Sequence, residues 1–378
     1  MEGAPPLDSS ATDSGAGPDA ATSASCGGGY CRGQEVCVSS ACVFQGCVGA
    51  QVPADFATVN AAVTSLAATG GTVCVAAGDY EGDVEIDDTV DVTILGVSAA
   101  QVTLGSVGIT FQGRPSPPAH FQTISLQGVS IKGDVQIGLT SDYAVVNLTD
   151  CGMAGGVSSS QAGGLSVTAS GGQLSVNVTA SRFVSVDCTD GTSTLSTGEV
   201  ALTVDGADLG ASGYDAFFVE TWSPSSHYIL QNSYLHDSGI GAEFASQLSS
   251  PTASFTVVNN TFVGNQDGLY LSDEDLTVTL FNNILVGSML AYESSVSVPA
   301  ASSGDNAYFD DTTNYEGQAD AGTGDVTANP LLDTSTPPGL KVGSPCRGTG
   351  NASQAPSTDY WGRPRPSDVD IGAVQSSP

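Results

Sequence analysis

Positive charge is scarce in this chain, which has 8 Lys plus Arg against 40 Asp plus Glu in 378 residues and a formal net charge of −32. A surface with so little positive charge repels nucleic acid and anionic membrane, so we expect neither as a partner. The simplest explanation of the acidity is the solubility of a secreted protein. Calcium binding by some Asp clusters is the alternative, and no other cofactor is indicated.

Strong helix formers are also rare, and no run of about 20 apolar residues is present, so we expect neither a helical fold nor membrane insertion. Val, Thr, Gly and Asn are abundant, which favours strands and turns, and the 40% apolar residues suffice for a large elongated core. The sequence therefore predicts an all-β protein.

The residues after Met1 lack the basic and apolar regions of a signal peptide. The cysteines nevertheless indicate an oxidising compartment, because five of the nine lie between Cys26 and Cys47. We expect an extracellular or cell-surface location, on a bacterial outer surface or in the periplasm, with an export signal or lipid anchor upstream of Met1.

Residues 1–25 are Ala, Ser, Gly, Pro and Asp with almost nothing to bury, and they are predicted to form a disordered tether. Residues 26–50 are predicted to form a small disulfide module, since zinc would require His or CxxC pairs that are missing. Five cysteines cannot pair among themselves, so we expect Cys47 to pair with Cys74. The remaining cysteines of the module are then expected to pair with one another: Cys26, Cys31, Cys37 and Cys42. At least one of Cys151, Cys188 and Cys346 is expected to be a buried free thiol.

Three similar segments organise the chain between Tyr228 and Ser295. They read YILQNSYLHDSGIGAEF, TVVNNTFVGNQDGLYLS and VTLFNNILVGSMLAYES, and they align Asn232, Asn260 and Asn283 at spacings of 28 and 23 residues. A repeat of this length cannot bury its own apolar face, so it predicts stacked coils with parallel strands about 4.8 Å apart. Residues 51–305 are expected to form this stack with its N-terminal cap. About eight to ten coils are expected between Val90 and Val298, with the asparagines stacked at a turn.

These coils resemble those of right-handed, single-stranded parallel β-helix proteins of the pectate-lyase type. The stretch DFATVNAAVTSLAATGG resembles the helix that opens many bacterial members, with Asp55 as its N-cap, Gly70 as its stop and the first coil beneath it. Residues 306–378 contain NPLLD, GLKVGSPC, DYWGRPRP and DIGAV, in the order of the tail of bacterial surface β-helix proteins. The pattern departs at Cys346, Val374 and Gln375. The resemblance implies that this tail is a cap and that Arg363 and Arg365 form ion pairs in it.

Enzymes with this fold use residues that are missing here. Lyases need calcium on carboxylates and a Lys or Arg base, but the coils offer only Arg114, Lys132 and Arg182, none beside paired Asp residues. The NTD, DD, GHG and RIK set of polygalacturonase-like hydrolases is absent, as are triad and phosphate-loop motifs. We therefore expect a monomeric protein that binds polysaccharide or has a structural, adhesive role. A polysaccharide hydrolase or lyase is the alternative.

Strand alternation predicts one outward stripe of aromatic and acidic side chains on consecutive coils, in which Ser272, Ala291 and Glu293 also face solvent. Such a stripe could bind a glycan, because sugar rings stack on aromatics and sugar hydroxyls bond to carboxylates. Ordinary solvated surface is the alternative interpretation. Glu220 and Glu243 are also candidate catalytic residues, since a diagonal separation of about 7–8 Å suits an inverting glycosidase. The candidate ligand-binding residues are Asp215, Phe218, Glu220, Trp222, His236, Asp237, Glu243, Asp267 and Tyr270.

Overall fold

The computed structural model describes most of the chain beyond the first 23 residues. The described residues are 24–26, 29–31, 35–38, 41–44, 46–87, 90–112, 122–140, 142–153, 164–190, 199–210, 213–247, 253–272, 277–295, 297–299 and 301–376. The predicted tether therefore lies outside the described residues except at its last two positions. The side chains of Cys26, Cys31, Cys37 and Cys42 also lie outside them, so the pairing of these cysteines stays a prediction.

The described residues contain one α-helix, α1 (Val59–Leu66), and 33 short strands. The strands before residue 140 are β1 (Ala24–Cys26), β2 (Gly29–Cys31), β3 (Glu35–Val38), β4 (Ala41–Phe44), β5 (Ala50–Val52), β6 (Gly71–Val75), β7 (Gly78–Tyr80), β8 (Val84–Asp87), β9 (Val92–Gly96), β10 (Val102–Leu104), β11 (Val107–Phe111), β12 (Gln122–Ile131) and β13 (Val135–Leu139). Those up to residue 236 are β14 (Asp142–Met153), β15 (Leu165–Ala169), β16 (Gly172–Thr179), β17 (Arg182–Phe183), β18 (Val186–Asp190), β19 (Glu199–Asp205), β20 (Asp208–Gly210), β21 (Asp215–Thr221), β22 (His227–Gln231) and β23 (Tyr234–His236). The last ten are β24 (Ile240–Ser246), β25 (Ser254–Val258), β26 (Thr261–Val263), β27 (Asp267–Leu271), β28 (Thr277–Phe281), β29 (Ile284–Val286), β30 (Leu290–Ser294), β31 (Ser303–Gly304), β32 (Ala307–Phe309) and β33 (Thr313–Gly317).

The strands from β5 onwards form the three parallel sheets of a β-solenoid of about 9 turns. The first two sheets run its length, and the third begins at Arg182. The first sheet has the order β31-β28-β25-β22-β19-β16-β14-β12-β9-β6-β5, with β10 and β7 beside it. The second sheet has the order β33-β30-β27-β24-β21-β18-β15-β13-β11-β8, and the third β17-β20-β23-β26-β29-β32. The predicted parallel β-helix is confirmed, and its strands continue to Gly317, beyond the expected boundary at 305.

Apolar side chains fill the interior because alternate residues of each strand point inward. On the second sheet, for example, β21 buries Phe217 and Val219, while β24 buries Ala242 and Phe244 at the paired positions. Stacking these equivalent positions coil upon coil produces one continuous apolar core, as the repeat predicted.

In the turn between the first and third sheets, Asn232 lies one position earlier than the predicted alignment placed it. Asn259 and Asn282 share a column with Asn232, and all three have left-handed backbones with φ of 50°, 55° and 59°. The aligned pair Asn260 and Asn283 belongs to the next column. The alignment misplaced Asn232 because two adjacent turn positions both carry asparagine in the later coils. The residue equivalent to Asn232 is Asn259, so the true spacing is 27 residues.

The second of these columns is a buried ladder of side-chain amides. The Asn260 Oδ1 accepts from the Ser233 backbone N–H at 2.9 Å, and the Asn283 Oδ1 accepts from that of Asn260 at 3.0 Å. The Asn306 Oδ1 continues the pattern by accepting from Asn283 N–H at 3.0 Å. These amides are fully buried and satisfy backbone donors that the turn would otherwise leave without a partner.

At the N-terminal end, α1 packs against β5, β6 and β8 and so covers the first coil, as expected. Its N-cap is Thr58, whose Oγ1 accepts from Ala61 N–H at 3.1 Å, so the prediction of Asp55 as N-cap was wrong. Asp55 instead accepts from Gln51 N–H at 3.0 Å in the preceding turn. The predicted Cys47–Cys74 disulfide is confirmed and ties the cysteine-rich segment to β6.

The predicted tail bridges to the last coil through Thr323 and Val326, and its later residues dock along the side of the stack. Gly372 O and Asp370 O accept from Asn259 Nδ2 at 3.2 and 3.0 Å, and Asn351 O accepts from Asn282 Nδ2 at 3.0 Å. Gly372 has a φ of +101°, and a Cβ at this position would come within 2.6 Å of Ile284 Cδ1. The glycine of the DIGAV motif is thus required by close contact with the outer face of the third sheet.

Two arginines hold this tail. Arg363 forms the expected ion pair, with Asp359 at 2.5 Å. Arg365 acts through hydrogen bonds: its Nη2 donates to Asn232 Oδ1 at 2.8 Å and to Ala373 O at 2.9 Å. Its guanidinium therefore joins the tail to a coil turn 133 residues earlier.

Replacing Phe262 with Asp tests the solenoid core. Phe262 is fully buried on β26, so the change leaves a cavity and an unpaired charge, and we expect a loss of more than about 4 kcal/mol in urea unfolding. Tyr270→Ser, at an outward position of β27, is the control and should cost less than about 1 kcal/mol. Equal losses would contradict the assignment of the two faces.

The free thiols provide a second test. Cys151, Cys188 and Cys346 are all free and buried, and burial raises the pKa of Cys151 to about 12 and that of Cys346 to about 11. We expect a thiol reagent to label essentially none of them in the native protein and three per chain after denaturation without reductant. A count above three would show that the four cysteines of the N-terminal module are not all paired.

Candidate functional site

One outward-facing position of the second sheet recurs on all ten strands. We call this set the outer column: Glu85, Gly108, Gln136, Ser166, Asp187, Phe218, Glu243, Tyr270, Glu293 and Glu316. At a strand spacing of about 4.8 Å, its nine intervals extend for about 43 Å.

The predicted aromatic and acidic stripe lies in the C-terminal half of this column. Phe218, Glu243, Tyr270 and Glu293 are half-buried and directly paired on consecutive strands, so aromatic and carboxylate side chains alternate. The residues on either side of each, such as Leu269 and Leu271 around Tyr270, are buried. The inward and outward assignments from strand alternation are confirmed at these positions.

Ala291 is the exception, because it was expected to face outward and is fully buried. Strand pairing skips it: Asp267 pairs with Leu290 and Leu269 with Tyr292. The equivalent residue of β27, Gly268, would place a Cβ only 2.4 Å from Ala291 O. The strand bends here, so alternation breaks and only a small residue fits.

The N-terminal half of the outer column is a trough that the sequence analysis missed. Gly108 and Ser166 in the column, with Gly138 beside it, present almost no side chain, and the flanking residues enclose an open volume of about 440 Å³. Glu85 and Gln136 supply polar groups to the trough. The signal was present in the sequence as glycines at outward strand positions in VGITF and VQIGL, but these residues carry no chemistry of their own.

Carboxylates crowd the stripe and interact unfavourably with one another. Burial and then the charge of Asp187 raise the pKa of Asp215 to about 6. Burial followed by the charges of Glu316 and Asp267 also raises the pKa of Glu293. The candidates Asp215 and Asp267 thus lie at the edge of one acidic surface, of which sequence reasoning missed Asp187.

The candidate pair Glu220 and Glu243 lies diagonally, as predicted. Glu243 pairs with Phe218, whereas Glu220 pairs with Ala245, two positions further along the strand. Glu220 Oε1 accepts from Gln247 Nε2 at 3.2 Å. A catalytic role for the pair stays a prediction.

Trp222 follows β21 and is half-buried at the edge of the second sheet. A buried carboxylate not recognised in the sequence, Asp190, holds its backbone: Asp190 Oδ1 accepts from Trp222 N–H at 2.6 Å and Ser223 N–H at 3.2 Å, and its Oδ2 accepts from Tyr228 Oη at 2.6 Å. Burial raises the pKa of Asp190, and the surrounding donors oppose that rise. Asp190 therefore stabilises, by hydrogen bonds from inside the solenoid, the loop that carries Trp222.

His236 and Asp237 belong to a different cluster, on the outer face of the third sheet. His236 Nε2 lies 3.0 Å from Asp208 Oδ1, its Nδ1 lies 2.9 Å from Asp237 Oδ2, and its ring stacks on Tyr234 at 4.5 Å. Asp208 is also paired with Arg182 at 2.6 Å. Burial lowers the pKa of His236, but the hydrogen bonds and charges of the two aspartates outweigh it, so the pKa is raised.

No group of three or more His, Cys, Asp and Glu side chains suited to a metal ion occurs among the described residues. In the same part of the chain, no helix has both the length and the apolar composition that a membrane span requires.

The fold and outer column define the class of this protein as an acidic all-β parallel solenoid. The chain matches no protein-family model and no curated protein. Among solved structures it is similar to ORF18 of Geobacillus virus E2, with 15% identity and a TM-score of 0.30 over 74% of this chain and 58% of that chain. The chain therefore spans less than two thirds of the length of that protein, and so weak a similarity assigns no function.

The cluster around His236 predicts a pH-dependent stability. Because the folded pKa of His236 is raised, its stabilising charge is fully present below the ordinary value of about 6.5 and is lost as pH rises through the folded pKa. Between pH 5.5 and 8.5 we expect the urea unfolding free energy of the parent to fall by about 0.5–1 kcal/mol more than that of His236→Gln. Equal pH dependence in the two proteins would contradict the contribution of His236.

Proposed function

We propose that this protein is a secreted or cell-surface β-helix protein of the pectate-lyase type that binds polysaccharide along the outer column. The observation that carries the proposal is the regular alternation of Phe218, Glu243, Tyr270 and Glu293 on paired strands. Aromatic rings offer apolar faces to sugar rings, and the carboxylates between them accept hydrogen bonds from hydroxyl groups. The trough continues the same line, and a site of this length suits an extended chain better than a small molecule.

The charge of the site indicates which glycans it accepts. Asp187, Asp215, Asp267 and Glu293 already have raised pKa values because they are partly buried, and charged carboxylates add to this at Asp215, Asp267 and Glu293. An anionic sugar would add further repulsion, so we propose a neutral or amino-sugar polysaccharide. If the ligand is anionic, calcium must bridge it to the carboxylates.

Hydrolysis of the bound glycan is the second candidate function. It is favoured by the diagonal placement of Glu220 and Glu243, since a separation of about 7–8 Å leaves room for a water between the carboxyl groups. Asp215, with a pKa of about 6, is an additional candidate for the general acid. If the protein hydrolyses the glycan, a polysaccharide incubated with it becomes shorter. If the protein only binds the glycan, the polysaccharide keeps its length.

The test is a glycan array and a reducing-sugar assay on the full chain, run with and without calcium. We expect the parent to bind neutral or amino-sugar polysaccharides, and Tyr270→Ala and Glu243→Gln each to weaken binding by roughly tenfold. Lys132→Ala is the control, because Lys132 is paired with Asp79 and is not a member of the outer column. Binding unchanged in both column variants, or no binding by the parent, would leave the stripe as ordinary solvated surface.

A further inference from the structure

A second cleft lies between the tail and the coil turns, on a different side of the solenoid from the outer column. Its coil side consists of residues 150, 179–180 and 205–206, and its other wall is the loop 358–362; the open volume is about 390 Å³. Asp150, Ala180 and Gly206 follow paired residues and have left-handed backbones with φ of 50°, 48° and 66°, so they form three successive steps of one turn column.

The loop is held rigidly from within. Asp359, whose side chain is fully buried, accepts from Trp361 N–H at 3.0 Å, Arg363 N–H at 2.9 Å and Gln375 N–H at 3.1 Å. Thr358 and Pro364 close the base of the loop as an isolated antiparallel bridge. These contacts use the backbone of Trp361 and do not require its side chain.

Trp361 is 55% exposed although the loop that carries it is held by the contacts of Asp359. Its ring meets that of Tyr360 edge-on, with the ring centroids 4.8 Å apart and the ring planes at 79°. A large aromatic ring held at a cleft by a preorganised loop is a low-entropy binding surface, since little freedom is lost when a ligand stacks on it.

Acidic side chains line this cleft, and two arginines lie in the adjoining tail. Asp150, Asp205 and Thr179 line one wall. The two Asp205 carboxylate oxygens accept from Gln231 Nε2 and Asn232 Nδ2, both at 2.9 Å, and each keeps a further lone pair for a ligand. Arg363 and Arg365 hold the loop and its base, and thus supply positive charge beside it. In a chain of net charge −32, such compensation favours a neutral ligand over an ionic one.

We propose that this cleft is a saccharide-binding subsite, in which a neutral sugar ring stacks on Trp361 and its hydroxyl groups bond to Asp150 and Asp205. The assignment is independent of the outer column, since the two sites share no residue. A cationic ligand is the competing occupant, because an indole face and nearby carboxylates can also bind a cation, and the experiment below separates the two.

Trp361 reports on its own site once Trp222, the other of the two tryptophans, is replaced by Phe. We expect the fluorescence of the Trp222→Phe protein to shift saturably when cellohexaose, mannohexaose or xylohexaose is added. Tetramethylammonium chloride should produce no such shift. Adding Tyr270→Ala should leave the Trp361 signal unchanged, so failure of the outer column and failure of this cleft are distinguishable.

Calorimetry on the full chain provides the matched comparison, with the hexaose that gives the largest fluorescence shift. We expect Trp361→Ala to weaken binding at this site by roughly tenfold or more, and Trp361→Tyr to retain affinity within about threefold. Unfolding curves of the two variants should coincide with the parent, because the indole does not hold the loop. No shift with any of the hexaoses, a shift with tetramethylammonium alone, or equal affinity of parent and Trp361→Ala would each overturn the proposal.

Discussion

Stacking of the coils in register is the constraint on which the rest of this structure depends. Every strand of the three parallel sheets bonds to its equivalent one coil earlier or later, so a residue's neighbours are its counterparts rather than residues near it in sequence. Inward positions therefore build apolar columns and outward positions build polar ones. The two ends of the stack lack such neighbours, and α1 covers the first of them.

The turns preserve this register with side chains. The side chains of Asn260, Asn283 and Asn306 form hydrogen bonds between successive coils. The residues one position earlier in each turn have left-handed backbones. The same left-handed residues, Asn232, Asn259 and Asn282, are the ones the tail binds. This column of turn residues thus contributes both to the stacking of the coils and to the docking of the tail. The docked tail then positions the loop that carries Trp361.

Stacking also explains how the protein tolerates so acidic a surface. Burial, followed by repulsion from Glu316, raises the pKa values of Asp267 and Glu293. The strands stay together despite this repulsion, because the buried columns behind them supply the larger energy. A row of carboxylates and aromatic rings held at strand spacing is a property of the assembled sheet. Its proposed role in glycan binding follows from that spacing and from the absence of any comparable cationic group in the outer column.

The sequence by itself determined the solenoid, the inward residues and the Cys47–Cys74 bridge. Period-two alternation is a local property, and an odd number of cysteines in one module requires an outside partner. The tertiary structure alone decided the column of Asn232, the burial of Ala291 and the position of the tail. Asparagine fits either of two adjacent turn positions, a bend interrupts alternation without a sequence signal, and the bond from Arg365 to Asn232 joins residues 133 apart. Such contacts depend on which segments become neighbours in space, and the stacking of the coils decides that.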